Sequence, residues 1–189
     1  MVVVIEPVIP VVLASASPRR QELLSQVLSA FEVIPANVDE EALVDADPGV
    51  TAQRLAREKA LAVSALHPDS LVIGGDTVVA LDFGGSWKQL AKPGSAEEAV
   101  AILEELSGAT HTVITGVCLV WLGGMNAFTE VTQVTFRQLE REEIEAYVAT
   151  GSPMDKAGAY GLQDESQSFI EKVEGSVTNV IGLPMEKLE

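Results

Sequence analysis

The sequence contains one cysteine, Cys118, so no intramolecular disulfide can form and a reducing compartment suits the chain. Cys118 lies in the apolar stretch ITGVCLVWL, where a small buried thiol fits better than a nucleophile. Basic residues are also scarce: 12 Lys and Arg against 28 Asp and Glu give a formal charge of −16. Such a surface repels nucleic acid and anionic membranes, so neither a polynucleotide nor a membrane is an expected partner. A polyanionic substrate would therefore require the few cations to be gathered where it binds.

The two histidines, His67 and His111, share no metal-ligand spacing. GxxxxGK[ST] and GxGxxG are both missing, so neither a P-loop nor a Rossmann dinucleotide site is indicated. No run approaches the ~18 unbroken apolar residues of a membrane span. Residues 1–12 are apolar but contain Glu6, Pro7 and Pro10 and lack the basic start of a signal peptide. The expectation is a soluble, cytoplasmic protein. With no internal repeat and 47 % hydrophobic residues, the chain reads as a single domain over 1–189 with a full core.

Periodicity places a buried strand at 10–13 and a helix from Pro18, with Ser17 as its N-cap and Leu23, Leu24, Val27 and Leu28 as its apolar stripe. A short strand is expected at 31–34, an exposed acidic loop at 37–49 and a helix at 51–66. A strand at 71–73 is expected to stop at Gly74-Gly75-Asp76, with extended chain at 77–81 and a turn at FGGS, 83–86. Ser95 and Glu98 have capping-box spacing before a third helix that ends at Gly108. Strands at 110–122 and 127–136 flank GGMN, a helix covers 140–150, and a last strand pair is expected at 169–173 and 177–181. Helices alternating with strands first, then hairpins, imply an α/β fold with a mixed sheet.

Four segments carry candidate chemistry. LASASPRR, 13–20, runs from a strand through a Ser-rich turn into a helix N-terminus, where free N–H groups and the helix dipole favour an anion. Ser15 and Ser17 add hydroxyls. Arg19 and Arg20 sit at the end of the helix that disfavours cations, a cost a bound polyphosphate would offset. In GGDT, 74–77, Asp76 is placed to act as a general base or to hold Mg²⁺, with the glycines leaving room for a ligand; an Asx turn is the plainer reading. Lys92-Pro93 suits a phosphate contact, and solvation is the default for such a lysine. Asp155-Lys156 opens the small-residue loop AGAYG, which Gln163 closes with an amide able to read a base edge.

In this order the segments LASASPRRQELL, NVDE, LAREKA, GGDTVV, KP, LSGATHTVITGV, DKAGAYGLQ and NVIGLP resemble the Maf family of nucleotide pyrophosphatases across nearly the whole chain. Ala91 stands where many members have Gly, and the chain stops soon after Pro184, where the family usually continues into a longer helix. The resemblance implies an elongated mixed sheet flanked by helices, in two lobes with a central cleft, related to the inosine triphosphate pyrophosphatases. It implies hydrolysis of nucleoside triphosphates to monophosphate and pyrophosphate with a divalent metal, Mg or Mn, in a homodimer. Asp76 matches the water-activating base; Arg19, Thr77 and Gln163 match positions tied to substrate choice. Arg, Thr and Gln there belong to the branch preferring dTTP and UTP, whereas Trp, Gln and Glu mark the 7-methyl-GTP branch. A neutral amide suits the O4 and N3–H edge of uracil or thymine; a carboxylate suits the cationic methylated guanine. Expected phosphate contacts are Ser15, Arg20, Lys59 and Lys92, and the expected metal ligands are Asp76 with Glu40 or Asp39. The rival expectation is a nucleotide-binding regulator of cell division with little turnover.

Overall fold

The computed structural model describes residues 4–188. Its spine is three long strands, β3 (Leu71–Asp82), β5 (Thr110–Trp121) and β6 (Gly124–Phe136), joined in antiparallel register. At one end the sheet is widened by two short parallel strands, β1 (Val11–Leu13) and β2 (Glu32–Val33). At the other end it is widened by β4 (Trp87–Leu90) on β3 and β7 (Ile170–Glu174) on β6. The order β2-β1-β3-β5-β6-β7, with β4 pairing β3 off this path, makes one mixed seven-stranded sheet, as the sequence implies.

The helices are α1 (Pro18–Ser25), α2 (Pro48–Ser64), α3 (Ala96–Leu106), α4 (Arg141–Ala149) and the short α5 (Val177–Ile181). Near β1, α1 packs Leu23 and Leu24 with Val11, Leu13, Ile73, Val117 and Leu183 on one face of the sheet. On the other face α2 packs Ala56, Ala60 and Val63 with Val12, Val72 and Cys118. At the far end α3 and α4 close a larger core around Leu103, Leu106, Phe136, Ile144 and Tyr147. None of these helices is long and apolar enough to cross a membrane.

Three expectations change. The residues 177–181 form helix α5, not a strand, although Val and Ile favour the extended form. Gly175, at φ 128°, breaks β7, Ser176 caps the helix through Asn179 N, and burial of the Asn179 amide holds the turn against β5 and β6. Helix α2 starts at Pro48 because Asp47 accepts from the Gly49 and Val50 amides and Pro48 takes the first helical position, so the loop before it is shorter than expected and holds a 3-10 turn at Glu41–Leu43. The third change matters most. β3 does not stop at Gly74-Gly75-Asp76 but runs on unbroken to Asp82.

Gly74 and Gly116, the latter on the neighbouring strand β5, are both explained by packing. A Cβ on Gly74 would stand 2.2 Å from Ala56 O, and one on Gly116 would stand 2.2 Å from Ala52 O. Gly116 is the ladder partner of Asp76. The stripe Ala52, Ala56, Ala60, spaced one turn apart, thus lies directly on sheet backbone. Gly74 makes room for a helix rather than for a ligand.

A buried polar pair lies under the α3–α4 end. His111 Nε2 is 2.7 Å from Tyr160 Oη, and both rings stack edge-on against Phe136. Burial drives the His111 pKa from 6.5 down to about 4. Above pH 6.5 the ring is neutral in both folded and unfolded chains. Between pH 6.5 and 4 only the unfolded chain takes up the proton, so stability falls with pH by about 1.4 kcal/mol per unit across that window. Thermal unfolding at pH 7.5 and pH 5.0 should differ by about 2 kcal/mol, and His111→Gln should remove most of that difference. Glu40 and Glu143, whose pKa values lie below 4.5, lose their contribution only further into acid, so an undiminished difference in His111→Gln would refute the assignment.

Candidate active site

β1 pairs with β3 only through Ile73, and β4 meets β3 only from Val79. Residues 74–78 therefore have a strand neighbour on the β5 side alone, and the missing neighbour on the other side is the cleft. Asp76 is not at a strand end, as expected from the sequence, but at mid-strand beside this gap. The consequence is unusual for a sheet. Side chains alternate across the pleat, so Asp76 shares the α2 face with Gly74, while Thr77 shares the opposite face with Gly75, which lies against Arg20. Both nevertheless line one cavity of about 340 Å³, because no strand separates them there.

Cations collect in this cavity. Arg19, Arg20, Lys59, Lys92 and Lys156 all line it, five of only 12 in the chain, against three carboxylates, Glu40, Asp76 and Asp155. A protein of net charge −16 thus contains one locally positive cavity. Ser15, Ser17 and Thr77 supply hydroxyls, and Ala14, Ala157, Tyr160, Val180 and Ile181 supply apolar wall.

Lys59, expected as a phosphate contact, sits with its ammonium between two carboxylates, 2.6 Å from Asp76 Oδ1 and 2.7 Å from Glu40 Oε1. Lys59 and Asp76 are nearly shut off from solvent, with side chains 12 % and 13 % exposed. Partial burial pushes the Glu40 carboxyl up, but Lys59, with help from Lys92 and Arg20, outweighs it and holds the pKa below 4.5.

Arg20 is a strut as well as a cation. Its Nε donates to Gly182 O (2.7 Å), Nη1 to Ser15 Oγ (3.1 Å) and Nη2 to Thr77 Oγ1 (2.9 Å). These bonds use three of the five guanidinium N–H groups and leave two for a ligand. Burial lowers the Arg20 pKa and Arg19 adds to this, with Asp76 opposing. The Thr77 hydroxyl is held from behind by Thr115 (2.9 Å), which itself donates to Asn179 O (2.9 Å). Thr115 and Asn179 carry no charge and are fully buried, so their support of Thr77 gives no signal in the sequence.

Arg19 reaches across the cleft to Asp155, Nη1 to Oδ2 at 3.0 Å. Partial burial pushes the Asp155 carboxyl up, but its bonds to Lys156 and Arg19 prevail and hold it low. Lys156, read from the sequence only as part of a loop, is anchored by Asp155 (2.9 Å) and Asp164 (3.3 Å) and lines the cavity. Gln163 is not among the cavity-lining residues. It is exposed at the outer rim, next to the lining residue Leu162. Asp39, an alternative metal ligand in the sequence reading, caps the turn at Glu41–Leu43 by accepting from Ala42 N, and Glu40 is the acidic residue that faces the cavity.

A mixed α/β sheet with a cationic cleft and a carboxylate on its interrupted edge defines a protein built to take up a small polyanion. The chain belongs to the Maf-like protein family, whose model matches residues 10–189. It is 48 % identical over 176 residues to the dTTP/UTP pyrophosphatase of Thermococcus kodakarensis, covering 93 % of this chain and 91 % of that one. It is 46 % identical to the protein of the same name from Koribacter versatilis (94 % and 90 % covered) and 44 % identical to that from Aquifex aeolicus (94 % and 91 %). Among solved structures, a HAM1 protein from Coxiella burnetii superposes with a TM-score of 0.45 at 15 % identity, covering 68 % of this chain and 73 % of that one.

Proposed function

We propose that this chain is a nucleoside triphosphate pyrophosphatase that hydrolyses dTTP and UTP to the monophosphate and pyrophosphate. The observation that carries this reading is the gathering of five scarce cations around Asp76. A triphosphate carries about four negative charges, and preorganised cations on the leaving group stabilise charge as it develops. The names of the relatives at 44–48 % identity support the same substrate class.

Arg20, Lys92 and Lys156, with Ser15, hold the phosphates. Lys59 sits at the carboxylate pair and has one N–H left for a phosphate oxygen. Asp76 orients a water for attack on the α-phosphorus and takes its proton as the new P–O bond forms. The bond from the α-phosphorus to the bridging oxygen breaks, and pyrophosphate leaves with that electron pair. Arg19, Thr77 and Gln163 select the base.

Asp76 and Glu40 fit a divalent cation, Mg or Mn. They are hard oxygen donors, and a single ammonium already bridges them. Among the described residues no three His, Cys, Asp or Glu side chains cluster, so phosphate oxygens and water would complete the shell, the usual arrangement for Mg²⁺. When bound, the ion neutralises phosphate charge. The reading also includes a cytoplasmic setting, in keeping with the lone buried Cys118, and a homodimer.

The test is a panel of UTP, dTTP, CTP and 7-methyl-GTP with separate detection of pyrophosphate and orthophosphate. Expected are pyrophosphate as product, preference for UTP and dTTP, and loss of turnover in EDTA restored by Mg²⁺. Orthophosphate as the product, or a marked preference for 7-methyl-GTP, would defeat the reading.

A further inference from the structure

Two hydrogen bonds cross the cleft mouth from α1 to the segment 155–163, and each engages a residue of the proposed base-selecting set. Arg19 Nη1 donates to Asp155 Oδ2 at 3.0 Å, and Gln163 Nε2 donates to Glu22 Oε2 at 3.2 Å. Glu22 follows Arg19 by three residues on α1, so both project from the same side of the helix.

The second bond carries chemical information. An ionised carboxylate only accepts hydrogen bonds, so the end of an amide that meets it must be the NH₂ end. Glu22 therefore decides which way round the Gln163 amide lies. Its nitrogen is drawn to α1, and Oε1, which has no hydrogen-bond donor among the described residues, is left free.

We propose that Glu22 is a specificity-setting positioning residue: by holding Gln163 Nε2 it leaves Oε1 as the acceptor offered to the base. Uracil and thymine present a donor, N3–H, to such an acceptor. Cytosine presents a lone pair at N3, and two acceptors left facing each other lower its relative kcat/KM by at least about tenfold. Discrimination between bases that differ in the placement of hydrogens then depends on a residue that need not touch the substrate. This inference rests on the proposed pyrophosphatase activity and on Gln163 contacting the base.

The test compares kcat/KM for UTP and CTP, by pyrophosphate release, in the wild type, Glu22→Lys, Gln163→Ala and the double variant. A lysine is donor-only, so it should attract Oε1 and turn the amide over. The expected result is a UTP:CTP ratio at least about tenfold lower in Glu22→Lys, with an unchanged melting temperature because Glu22 is exposed. The added positive charge acts on both triphosphates alike and cancels in the ratio. In the double variant the lysine should have no further effect beyond Gln163→Ala. An unchanged ratio in Glu22→Lys, where Gln163→Ala does lower it, overturns the role of Glu22. A lysine effect that persists without Gln163 overturns it equally. If Gln163→Ala leaves the ratio intact while the wild type still releases pyrophosphate, base reading at Gln163 fails and takes this inference with it. A wild type that releases none from any triphosphate defeats the enzymatic reading itself.

Discussion

Asp76→Asn should cut pyrophosphate release from UTP by about 10³-fold, within the range attributed to a positioned general base. The substitution is nearly isosteric, and an amide cannot take the proton of the attacking water. It also removes one of the two carboxylates that hold the Lys59 ammonium, while Glu40, at 2.7 Å, remains. The fold should hold, because Asp76 is fixed by the β3–β5 ladder and not by its side chain. The measurements are steady-state hydrolysis with pyrophosphate detection, the melting temperature, and the Kd for dTTP. Turnover within tenfold of wild type, in a variant that melts normally and binds dTTP, would remove Asp76 from the chemistry.

The second large effect is expected at a residue that has no side chain, the ladder partner of Asp76. Gly116→Ala places a Cβ 2.2 Å from Ala52 O, 2.4 Å from Ala52 C and 2.8 Å from Gln53 N, all backbone atoms that no rotamer change can move. Helix α2 must lift from the sheet, at a cost of about 3 kcal/mol for overpacking. In a chain of this size that lowers Tm by about 6–12 °C. Lys59 rides on the same helix, so its position against Asp76 shifts too, and misplacement by about 1 Å is enough for a loss near 10²-fold. Activity measured well below the new Tm should therefore still be reduced. A variant with unchanged Tm would show that α2 yields freely and that the contact is not tight.

The elements most legible in the sequence were those whose signals are local. Ser17-Pro18 starts α1 at the expected residue, and Ser95 caps α3. The β5–β6 hairpin forms, although its turn is tighter and β6 already begins at Gly124. The continuity of β3 was hidden because Gly-Gly-Asp reads as a turn. Only the packing of Ala56 and Ala60 against Gly74 reveals why a strand should contain glycine there. The same limit applies to the site. Arg20, Asp76 and Lys92 could be named from residue type and position, Lys59 only from the family resemblance, and the structure brings all four to one cavity. That Lys59 would be held by two carboxylates could not be read, nor could pairings across 136 and 141 residues, Arg19 with Asp155 and Gln163 with Glu22. Such contacts exist only once α1 and the 155–163 segment meet in the folded chain.

The interrupted edge of β3 makes the site a matter of counting. Asp76 and Thr77 are consecutive, and pleating alone sends one toward Lys59 and the other toward Arg20. A slip of one residue in β3 would exchange every side chain between the two faces. It would turn the carboxylate toward a guanidinium and, when the strand slips so that Ile73 takes the place of Gly74, press an isoleucine onto the helix where only glycine fits. A single deletion between Val72 and Asp76 would thus disable the protein as surely as loss of the carboxylate, with every charged residue of the site still present in the chain.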